Sequence, residues 1–257
     1  MNKLKIIKSI QTTTIGKNVI YLTKVDSTNN EAKREIGQGA KNGTVIVAEN
    51  QVCGKGRLGR TWKSNSGKDL SFSIILRSIN DLSHVKCMSL LAGLSVCNVL
   101  IRKHNIDARV KWPNDIIINN KKVCGILCES LYLDNKFDVI VGIGVNANNT
   151  EFSKDIAHKA TSMCLENGIT FSRTDLLCDI LYEFENLYLR MHNGFINIID
   201  EYKQLCATID KHITTVGGNK VSGVAFDISE TGELMIRTDN GEILSINSSE
   251  VTVQGIY

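Results

Sequence analysis

Apolar residues alternate with polar or small ones along several short stretches of the chain, and this two-residue period predicts strands. The clearest case is Leu70, Phe72, Ile74 and Leu76, whose spacing is typical of a half-buried strand. Asparagine-rich and aspartate-rich turns at 119–122 and 134–135 separate later stretches, so we expect hairpins there. The strands predicted before residue 150 cover residues 18–22, 44–49, 70–76, 116–118, 123–133 and 137–145.

Other segments have the spacing or the cap signals of helices. Thr28 followed three residues later by Glu31 fits a capping box, and Gly37 or Gly39 is expected to end the helix that it opens. Leucine, valine, alanine and methionine dominate the next apolar segment, which predicts a long and largely buried helix. Further helices are predicted at 84–104, 173–191 and 195–206, with a break between the last two at Gly194.

From His212 onward the pattern changes to five short strands, which is typical of a small SH3-like barrel. The chain therefore has an α+β fold class, in which a mixed sheet with helices precedes a small β-domain. We place the domain boundary near residue 210, giving domains 1–210 and 211–257. Turns between the last strands are predicted at 217–219, 229–232 and 239–241.

Composition narrows the class of protein. With 42% apolar and 22% charged residues in 257, a packed globular core is expected. A net charge of +3 is too mild to indicate nucleic-acid binding. The eight cysteines include no Cys-x-x-Cys pair, so we expect reduced, mostly buried thiols. The first ten residues lack the apolar run of a signal peptide, and the apolar run 88–101 is too short to span a bilayer. These features predict a cytoplasmic protein that does not associate with membranes.

The loop from Gln51 to Ser64 carries the strongest candidate chemistry. It contains two lysines, two arginines, three glycines and one tryptophan, and it contains no acid. Glycines let the backbone approach a ligand closely, and guanidinium groups can bind phosphate or carboxylate oxygens in pairs. The loop therefore indicates closure over a small anion, with Trp62 as a flat apolar surface. A solvated basic loop explains this stretch, taken alone, equally well.

A second motif, residues 109–115, includes the chain's single proline, Pro113. Proline holds Trp112 in an extended conformation and interrupts the strand ladder. Lys111 is therefore expected at a strand end beside a rigid turn that also holds Asn114 and Asp115. A lysine in this setting is a candidate for a desolvated, positioned charge.

Two groups of residues stay open between structural and ligand-binding interpretations. Polar residues around Thr28 and Asn29 fit helix caps, but they also fit hydrogen bonds to a ligand beside the first helical turn. Gly142 and Gly144 within their strand fit bulges of a twisted sheet, but they also fit the close approach of another group.

Taken together, these motifs resemble those of the biotin–protein ligases, in the order that this family has them. The resemblance extends from about residue 20 into the C-terminal barrel, and the glycine–arginine loop together with Lys-Trp-Pro-Asn-Asp makes it specific. The matching segments are 26–29, Gln51 with 54–62, 111–115, 122–127 and 142–146.

The resemblance implies a fold like that of class II synthetases and a two-step reaction with biotin, ATP and Mg²⁺. Biotinyl-5′-AMP forms first, and biotin then passes to a lysine of a biotin carboxyl carrier protein, the expected partner. Catalytic roles are implied for Lys111 and Arg57, and no dedicated protein ligands are implied for Mg²⁺, which enters with ATP. Biotin-binding roles are implied for Ser27, Thr28, Asn29, Gln51, Lys55, Gly56, Arg57, Lys111, Gly125 and Leu127. Nucleotide-binding roles are implied for Arg57, Arg60, Trp62, Asn114, Asp115, Lys122 and Asn146.

Two departures from the family pattern qualify these roles. Lys55 stands where many relatives have arginine, so it keeps the charge but loses the planar fork. Gln254 stands where some relatives have an arginine that reaches the nucleotide, so we expect the barrel to lie outside the ATP site. The lead-in of about 22 residues implies a member without an N-terminal helix-turn-helix repressor domain. A homodimer is compatible with the resemblance. The alternatives are a lipoate or other acyl-adenylate ligase, or a non-catalytic sensor of biotin or nucleotide.

Overall fold

A computed structural model describes residues 1–193, 196–216, 220–247 and 250–257 of the chain. It has two β-sheets: one of seven strands with helices on both faces, and one of five strands formed by the last part of the chain. The α+β class and the small C-terminal β-domain are therefore confirmed. The predicted helix break at Gly194 and the turn at 217–219 lie outside the described residues.

The elements follow one another with short connections. The helices are α1 (Lys3–Ser9), α2 (Thr28–Gly37), α3 (Leu82–His104), α4 (Met163–Asn167), α5 (Arg173–Asn193) and α6 (Ile196–Leu205). The strands of the large sheet are β1 (Val19–Leu22), β2 (Val45–Ala48), β3 (Leu70–Ile79), β4 (Ala108–Lys111), β5 (Asp115–Ile118), β6 (Lys121–Leu133) and β7 (Lys136–Val145). The strands of the small sheet are β8 (His212–Val216), β9 (Ser222–Ile228), β10 (Leu234–Thr238), β11 (Ile243–Ile246) and β12 (Glu250–Val253).

The large sheet has the strand order β1-β2-β3-β7-β6-β5-β4. Its β1–β2 pair is parallel and its other pairs are antiparallel. The prediction of a half-buried β3 is wrong, because both faces of this strand are covered: Ser73 and Ile75 are as inaccessible as Phe72 and Ile74. Residues of α2 pack with Ile75 on one face, and α3 lies across the other.

Helix α3 fills the space between the large sheet and α5. At 23 residues it is longer than the apolar run seen in the sequence, and by length and hydropathy it also passes the test for a membrane span. However, 72% of its most apolar window is buried inside the protein. Asp81 accepts a hydrogen bond from the backbone of Ser83 at its start, and Asn105 adopts a left-handed conformation at its end. The helix is therefore a core element of this fold.

Two short helices, α1 and α4, were not predicted. In α1 only Ile6 is buried, and the side chain of Asn2 caps the helix. Seven residues are too few for a helical period to stand out, so this helix depends on contacts with α5 and β1. The eight cysteines all lie in the described ranges and are free, as expected, and five of them are buried.

The small sheet is antiparallel, with the order β11-β10-β9-β8-β12. It is joined to the large sheet at Trp112, just after β4. The backbone N–H of Trp112 donates to the hydroxyl of Thr208 at 3.0 Å, and its indole N–H donates to the carbonyl of Gly232 at 3.1 Å. Both groups are buried, so the residue next to Lys111 is held by hydrogen bonds to residues before and within the C-terminal domain.

Candidate active site

Small residues of the central strands β6 and β7 form the floor of the site. The strands pair without a register shift there, through Gly125 with Gly144 and Leu127 with Gly142. A Cβ atom at Gly142 would lie 2.1 Å from the side-chain oxygen of Asn29. One at Gly144 would lie 2.5 Å from the indole of Trp62, in the loop from Gln51 to Ser64, which we call the cationic loop. The bulge interpretation of these two glycines is therefore wrong, since they make room for side chains that cover the floor.

The start of α2 lies above one end of this floor. The N-cap residue is Ser27, and it makes no side-chain cap hydrogen bond. Thr28 instead uses its backbone N–H to donate to Oε1 of Gln51 at 2.8 Å, and its hydroxyl donates to the same oxygen at 3.1 Å. Glu31 pairs with Arg34 rather than reaching back to the cap. The capping-box prediction is wrong, because the distant Gln51 takes the groups of Thr28 and an i,i+3 ion pair within α2 takes the carboxylate of Glu31.

Asn29 is the most constrained polar side chain of this cluster. Its amide donates to the carbonyl of Leu127 at 3.1 Å and to Oε2 of Glu129 at 2.8 Å. Its oxygen lies 2.7 Å from the hydroxyl of Ser73, a buried residue of β3. These partners fix the amide of Asn29 against the floor, which is the preorganisation that recognition of a neutral, hydrogen-bonding ligand requires.

The cationic loop folds into a small hairpin of its own. The N–H of Gly56 donates to the carbonyl of Arg60 at 2.8 Å, and the N–H of Trp62 donates to the carbonyl of Gly54 at 2.9 Å. A short turn of 3₁₀ helix, Arg57–Gly59, forms its tip. A Cβ atom at Gly54 would lie 2.3 Å from the carbonyl oxygen of Trp62, so this hairpin requires glycine there.

The indole of Trp62 lies on the glycine floor. Cβ atoms at Gly125 and Gly144 would lie 3.0 and 2.5 Å from its ring atoms. The ammonium of Lys122 stands 5.6 Å from the ring centroid, a distance suited to a cation–π contact. The buried indole N–H has no hydrogen-bond partner among the described residues. The ring therefore acts as a flat wall across the middle of the site, with an unused donor.

The cations of the loop differ in their surroundings. One guanidinium nitrogen of Arg57 donates to Oδ1 of Asn114 at 3.0 Å, and burial lowers the pKa of this arginine. Its intrinsic pKa is so high that it keeps its charge at neutral pH. Lys55, in contrast, is exposed at the rim, where its ammonium donates to Oδ1 of Asn30 at 2.6 Å. Arg57 is thus the loop cation that the fold brings into the interior.

Lys111 ends β4 and is buried, with 6% of its surface exposed. Burial lowers the pKa of its ammonium, and the nearby carboxylate of Asp115 partly offsets that effect. Oδ2 of Asp115 accepts a hydrogen bond from the hydroxyl of Tyr257 at 2.6 Å, and its Oδ1 forms an ion pair with the ammonium of Lys122 at 2.6 Å. The ring centroid of Tyr257 lies 4.2 Å from the ammonium nitrogen of Lys111. The lysine is therefore a desolvated charge beside a turn, as its sequence context predicted.

Two cavities meet at the Trp62 wall. The first lies under the loop and over the glycine floor, and only about 50 Å³ of it is open. The second, on the other side of Trp62 and Lys122, has about 930 Å³ open, and its lining includes five lysines and arginines and four acidic residues. Since ligand sites of small molecules usually measure several hundred Å³, the loop has to open before a ligand can enter the first cavity.

The structure brings the sequence-predicted residues together around these two cavities. Asn114 lines the first cavity rather than the second, and Lys111 lines the second rather than the first. The first is lined by Ser27, Thr28, Asn29, Gln51, Lys55, Gly56, Arg57, Gly125 and Leu127. The second is lined by Arg60, Trp62, Asp115, Lys122 and Asn146.

Sequence reasoning missed several lining residues. Gly142 and Gly144 were noticed, but the choice between bulges and the close approach of another group was left open. Glu250 and Tyr257 of the C-terminal domain line the second cavity, and Glu250 forms an ion pair with Arg60. The expectation that the barrel lies outside this site is therefore wrong. It rested on Gln254 alone, and no local pattern indicates that Tyr257 folds back onto a strand 142 residues earlier.

Comparison with known proteins adds an independent finding. A family model described as Biotin/lipoate A/B protein ligase family matches residues 19–146, and one described as Biotin protein ligase C terminal domain matches residues 208–253. The first match contains every sequence-predicted site residue. The second contains Glu250 but ends before Tyr257.

Similar proteins and structures carry related names. The bifunctional ligase/repressor BirA of Bacillus spizizenii is 32% identical over 248 residues, which cover 94% of this chain and 76% of that protein. A biotin–[acetyl-CoA-carboxylase] ligase of Mycobacterium tuberculosis is 28% identical, over 90% of this chain and 86% of its own length. The structure of a biotin protein ligase from Aquifex aeolicus in complex with biotin and ATP matches with a TM-score of 0.80 at 31% identity, covering 93% of this chain and 99% of that one.

Proposed function

The chain belongs to the biotin protein ligases of the biotin/lipoate A/B protein ligase family, and we propose that it catalyses two coupled steps. In the first, the carboxylate of biotin attacks the α-phosphorus of ATP, and pyrophosphate leaves as biotinyl-5′-AMP forms. In the second, the amine of an acceptor lysine attacks the carbonyl carbon of this anhydride, loses a proton and releases AMP. The acceptor that we propose is a biotin carrier domain of a carboxylase.

The observation that carries this proposal is the pair of adjoining cavities. One is lined by neutral hydrogen-bonding groups such as Thr28, Asn29 and Gln51, which suits the uncharged ureido ring of biotin. The other is lined by several cations, which suits a triphosphate. They share the wall of Trp62 and Lys122, so a carboxylate in the first and an α-phosphate in the second would meet at this wall.

The chemistry of the first step requires positive charge at that meeting point. Two anions about 4 Å apart repel by roughly 1 to 4 kcal/mol, depending on the local dielectric. Lys111 is a buried cation and Arg57 is a half-buried one, on either side of the wall, and they offset this repulsion. They also stabilise the negative charge that grows on the phosphorus as pyrophosphate leaves. The carboxylate is already the nucleophile, so this step needs no general base.

Magnesium is proposed to enter with ATP rather than on a protein site. Among the described residues, no group of three or more histidine, cysteine or acidic side chains is arranged to hold a metal ion. The acidic residues nearest to Lys111 are already paired, Asp115 with Lys122 and Glu250 with Arg60. Mg²⁺ commonly binds through substrate phosphates with few protein ligands, and there it would neutralise the leaving group.

The remaining assignments follow from the same site. We propose that the biotin-binding and nucleotide-binding roles implied by the family resemblance hold for this chain. Asn114 contributes by accepting the hydrogen bond from Arg57. Asn146 is buried, and its amide donates to the carbonyl of Thr161 at 3.0 Å, so it also supports the wall of the larger cavity. We further propose a cytoplasmic location, and the division into domains 1–210 and 211–257 stays a prediction.

Mass spectrometry of the bound ligand tests this function. The protein is incubated with biotin, with ATP and Mg²⁺, and with all three, and the retained small molecules are measured. The expected result is the mass of biotinyl-AMP only when all three are present. Replacing biotin by lipoate or octanoate gives the matched control. Adenylation of lipoate in preference to biotin would contradict the proposal, and tight biotin binding without adenylate would identify a sensor instead.

A further inference from the structure

Tyr257 reaches the second, larger cavity from the C-terminal domain. After β12 the chain turns at Gly255, which has a φ of +77°, and Ile256 is buried with 3% exposure. The N–H of Tyr257 donates to the carbonyl of Asn120 in the β5–β6 turn at 3.2 Å. These contacts hold the phenol at the mouth of the larger cavity, which Tyr257 lines.

The side chain of Tyr257 makes two separate contacts with the predicted catalytic motif. Its hydroxyl donates to Oδ2 of Asp115 at 2.6 Å, while Lys122 holds Oδ1 of the same carboxylate at 2.6 Å. Its ring faces the ammonium of Lys111, with 4.2 Å between the nitrogen and the ring centroid. Both carboxylate oxygens of Asp115 are therefore engaged by groups other than Lys111.

The ammonium of Lys111 is a buried positive charge that faces an aromatic ring instead of a paired carboxylate. Within the described ranges no hydrogen bond or ion pair holds it, although the residue is only 6% exposed. An aromatic face stabilises a cation without neutralising it, whereas a carboxylate would cancel its charge. A buried cation of this kind is poised to bind an incoming anion. The other charged side chains around Lys111 are Asp115, Lys122, Glu250 and Arg60.

We propose that Tyr257 is a positioning residue for formation of the adenylate: its ring orients the ammonium of Lys111, and its hydroxyl keeps Asp115 from pairing with that ammonium. The charge of Lys111 then stays available to the biotin carboxylate and the α-phosphate. This inference rests on the proposed function, because it assigns Tyr257 a task within the first step of that reaction.

A matched pair of variants isolates the ring contact. One carries Tyr257→Phe, and the other has pentafluorophenylalanine at the same position. Neither ring has a hydroxyl that could hold the carboxylate of Asp115, so any effect of losing that hydrogen bond is the same in both. Fluorination reverses the polarity of the ring face while nearly keeping its shape, which removes attraction to a cation. The same two substitutions at Tyr182, an exposed residue of α5, serve as the control.

The first readout needs no activity. In ¹³C-lysine-labelled protein without ligands, NMR titration follows the Lys111 side chain, whose signal is assigned by its loss in Lys111→Arg. We expect the pKa of Lys111 to be lower in the fluorinated variant than in Tyr257→Phe by about half a unit or more. We expect a higher pKa in Tyr257→Phe than in the wild type, because Asp115 is free to approach. The inference would be overturned if the two variants at position 257 gave the same pKa of Lys111. It would also be overturned if the two variants at position 182 changed the pKa of Lys111 by as much as those at position 257.

The second readout is biotin-dependent release of pyrophosphate as a function of pH. We expect kcat/KM for ATP to fall about tenfold from Tyr257→Phe to the fluorinated variant, with the alkaline limb displaced to lower pH. A loss of rate with an unmoved alkaline limb would mean a merely structural role and would overturn the inference. If the wild type forms no biotinyl-AMP, the proposed function fails, whatever residue 257 carries. If the wild type is active and the two variants are equal, only the role of Tyr257 fails.

Discussion

The side-chain oxygen of Asn29 occupies the place where a Cβ atom at Gly142 would stand, 2.1 Å away. The oxygen cannot yield easily, because the amide of Asn29 is held by the carbonyl of Leu127 and its oxygen by the hydroxyl of Ser73. An added methyl group at residue 142 therefore acts directly on the polar group that we assign to biotin.

We predict that Gly142→Ala displaces Asn29 and weakens biotin binding by about tenfold or more, since one misaligned hydrogen-bonding group costs about 1 to 3 kcal/mol. Calorimetric titration with biotin measures the change. Gly37→Ala is the matched control, because a Cβ atom at Gly37 in α2 would meet no atom within 4 Å. Unchanged biotin affinity in Gly142→Ala would remove Asn29 from the biotin site.

Arg57→Gly is predicted to form the adenylate but to release it early, and so to label bystander lysines. The substitution removes the guanidinium that enters the interior and its hydrogen bond to Asn114. Hydrogen bonds of charged groups are worth about 1.5 to 3 kcal/mol, so dissociation of biotinyl-AMP should be about ten to a hundred times faster.

The measurement for Arg57 is the retention time of radiolabelled biotinyl-AMP on the protein, together with labelling of an unrelated lysine-rich protein. Arg57→Lys keeps the charge but loses the planar fork, and we expect an intermediate rate. Labelling restricted to the carrier domain in Arg57→Gly would contradict this account of the loop.

Lys111→Ala is predicted to lose most of the first step. Removal of one preorganised charge that stabilises a transition state commonly lowers kcat by about a hundredfold or more. Single-turnover formation of biotinyl-AMP measures the loss, and circular dichroism checks the fold. Lys136→Ala, at the exposed start of β7, is the control for removal of a lysine. A near-normal rate in Lys111→Ala would exclude this residue from catalysis.

Acid stability is predicted to depend on Glu49, which lies away from the site. Burial opposes its ionisation, but hydrogen bonds from Arg173 and Tyr21 outweigh this and lower the pKa of Glu49 from 4.5 to about 2. A carboxyl whose pKa is lowered by folding stabilises the protein above its unfolded pKa, and this contribution is lost as the pH falls through its folded pKa.

Glu49→Gln should therefore be less stable than the wild type at neutral pH, and the difference should shrink between about pH 4.5 and pH 2. Urea unfolding at a series of pH values measures both effects. Glu242→Gln, in the exposed turn between β10 and β11, should show neither. A difference for Glu49→Gln that stays constant down to pH 2 would mean that the carboxylate contributes nothing through its charge.

Sequence reasoning succeeded where local patterns decide the structure. The two-residue period placed β3, β-branched residues placed β2, and turn residues placed β6 and β7. The positive φ angles of Asn119, Asn120, Asp134 and Asn135 explain why those turns were recognisable. The loop and the Lys111 motif were also found, because their residue types are unusual at that density. Their meeting around one wall follows from sheet order, which a single sequence does not encode locally.

The failures have a common physical cause, which is competition from partners that the local pattern does not include, most of them distant in sequence. Thr28 and Glu31 match a capping box, but Gln51 and Arg34 take the groups that would form it. Ser73 looks solvent-facing beside Phe72, yet α2 covers that face of β3. Local signals such as these decide structure only where no tertiary partner offers a better hydrogen bond or a drier surface.

The anchoring of Trp112 has a consequence for recombination between members of the family. Its indole is fastened to the carbonyl of Gly232, in a turn of the last fifty residues, while Lys111 is its immediate neighbour. A hybrid gene that joins this catalytic sheet to a foreign C-terminal module would encode the lysine but would lose the hydrogen bond from Trp112. The bond would persist only if the incoming turn had the same length as the turn around Gly232. We therefore expect the two modules to have been inherited together, with exchange confined to relatives that share this turn.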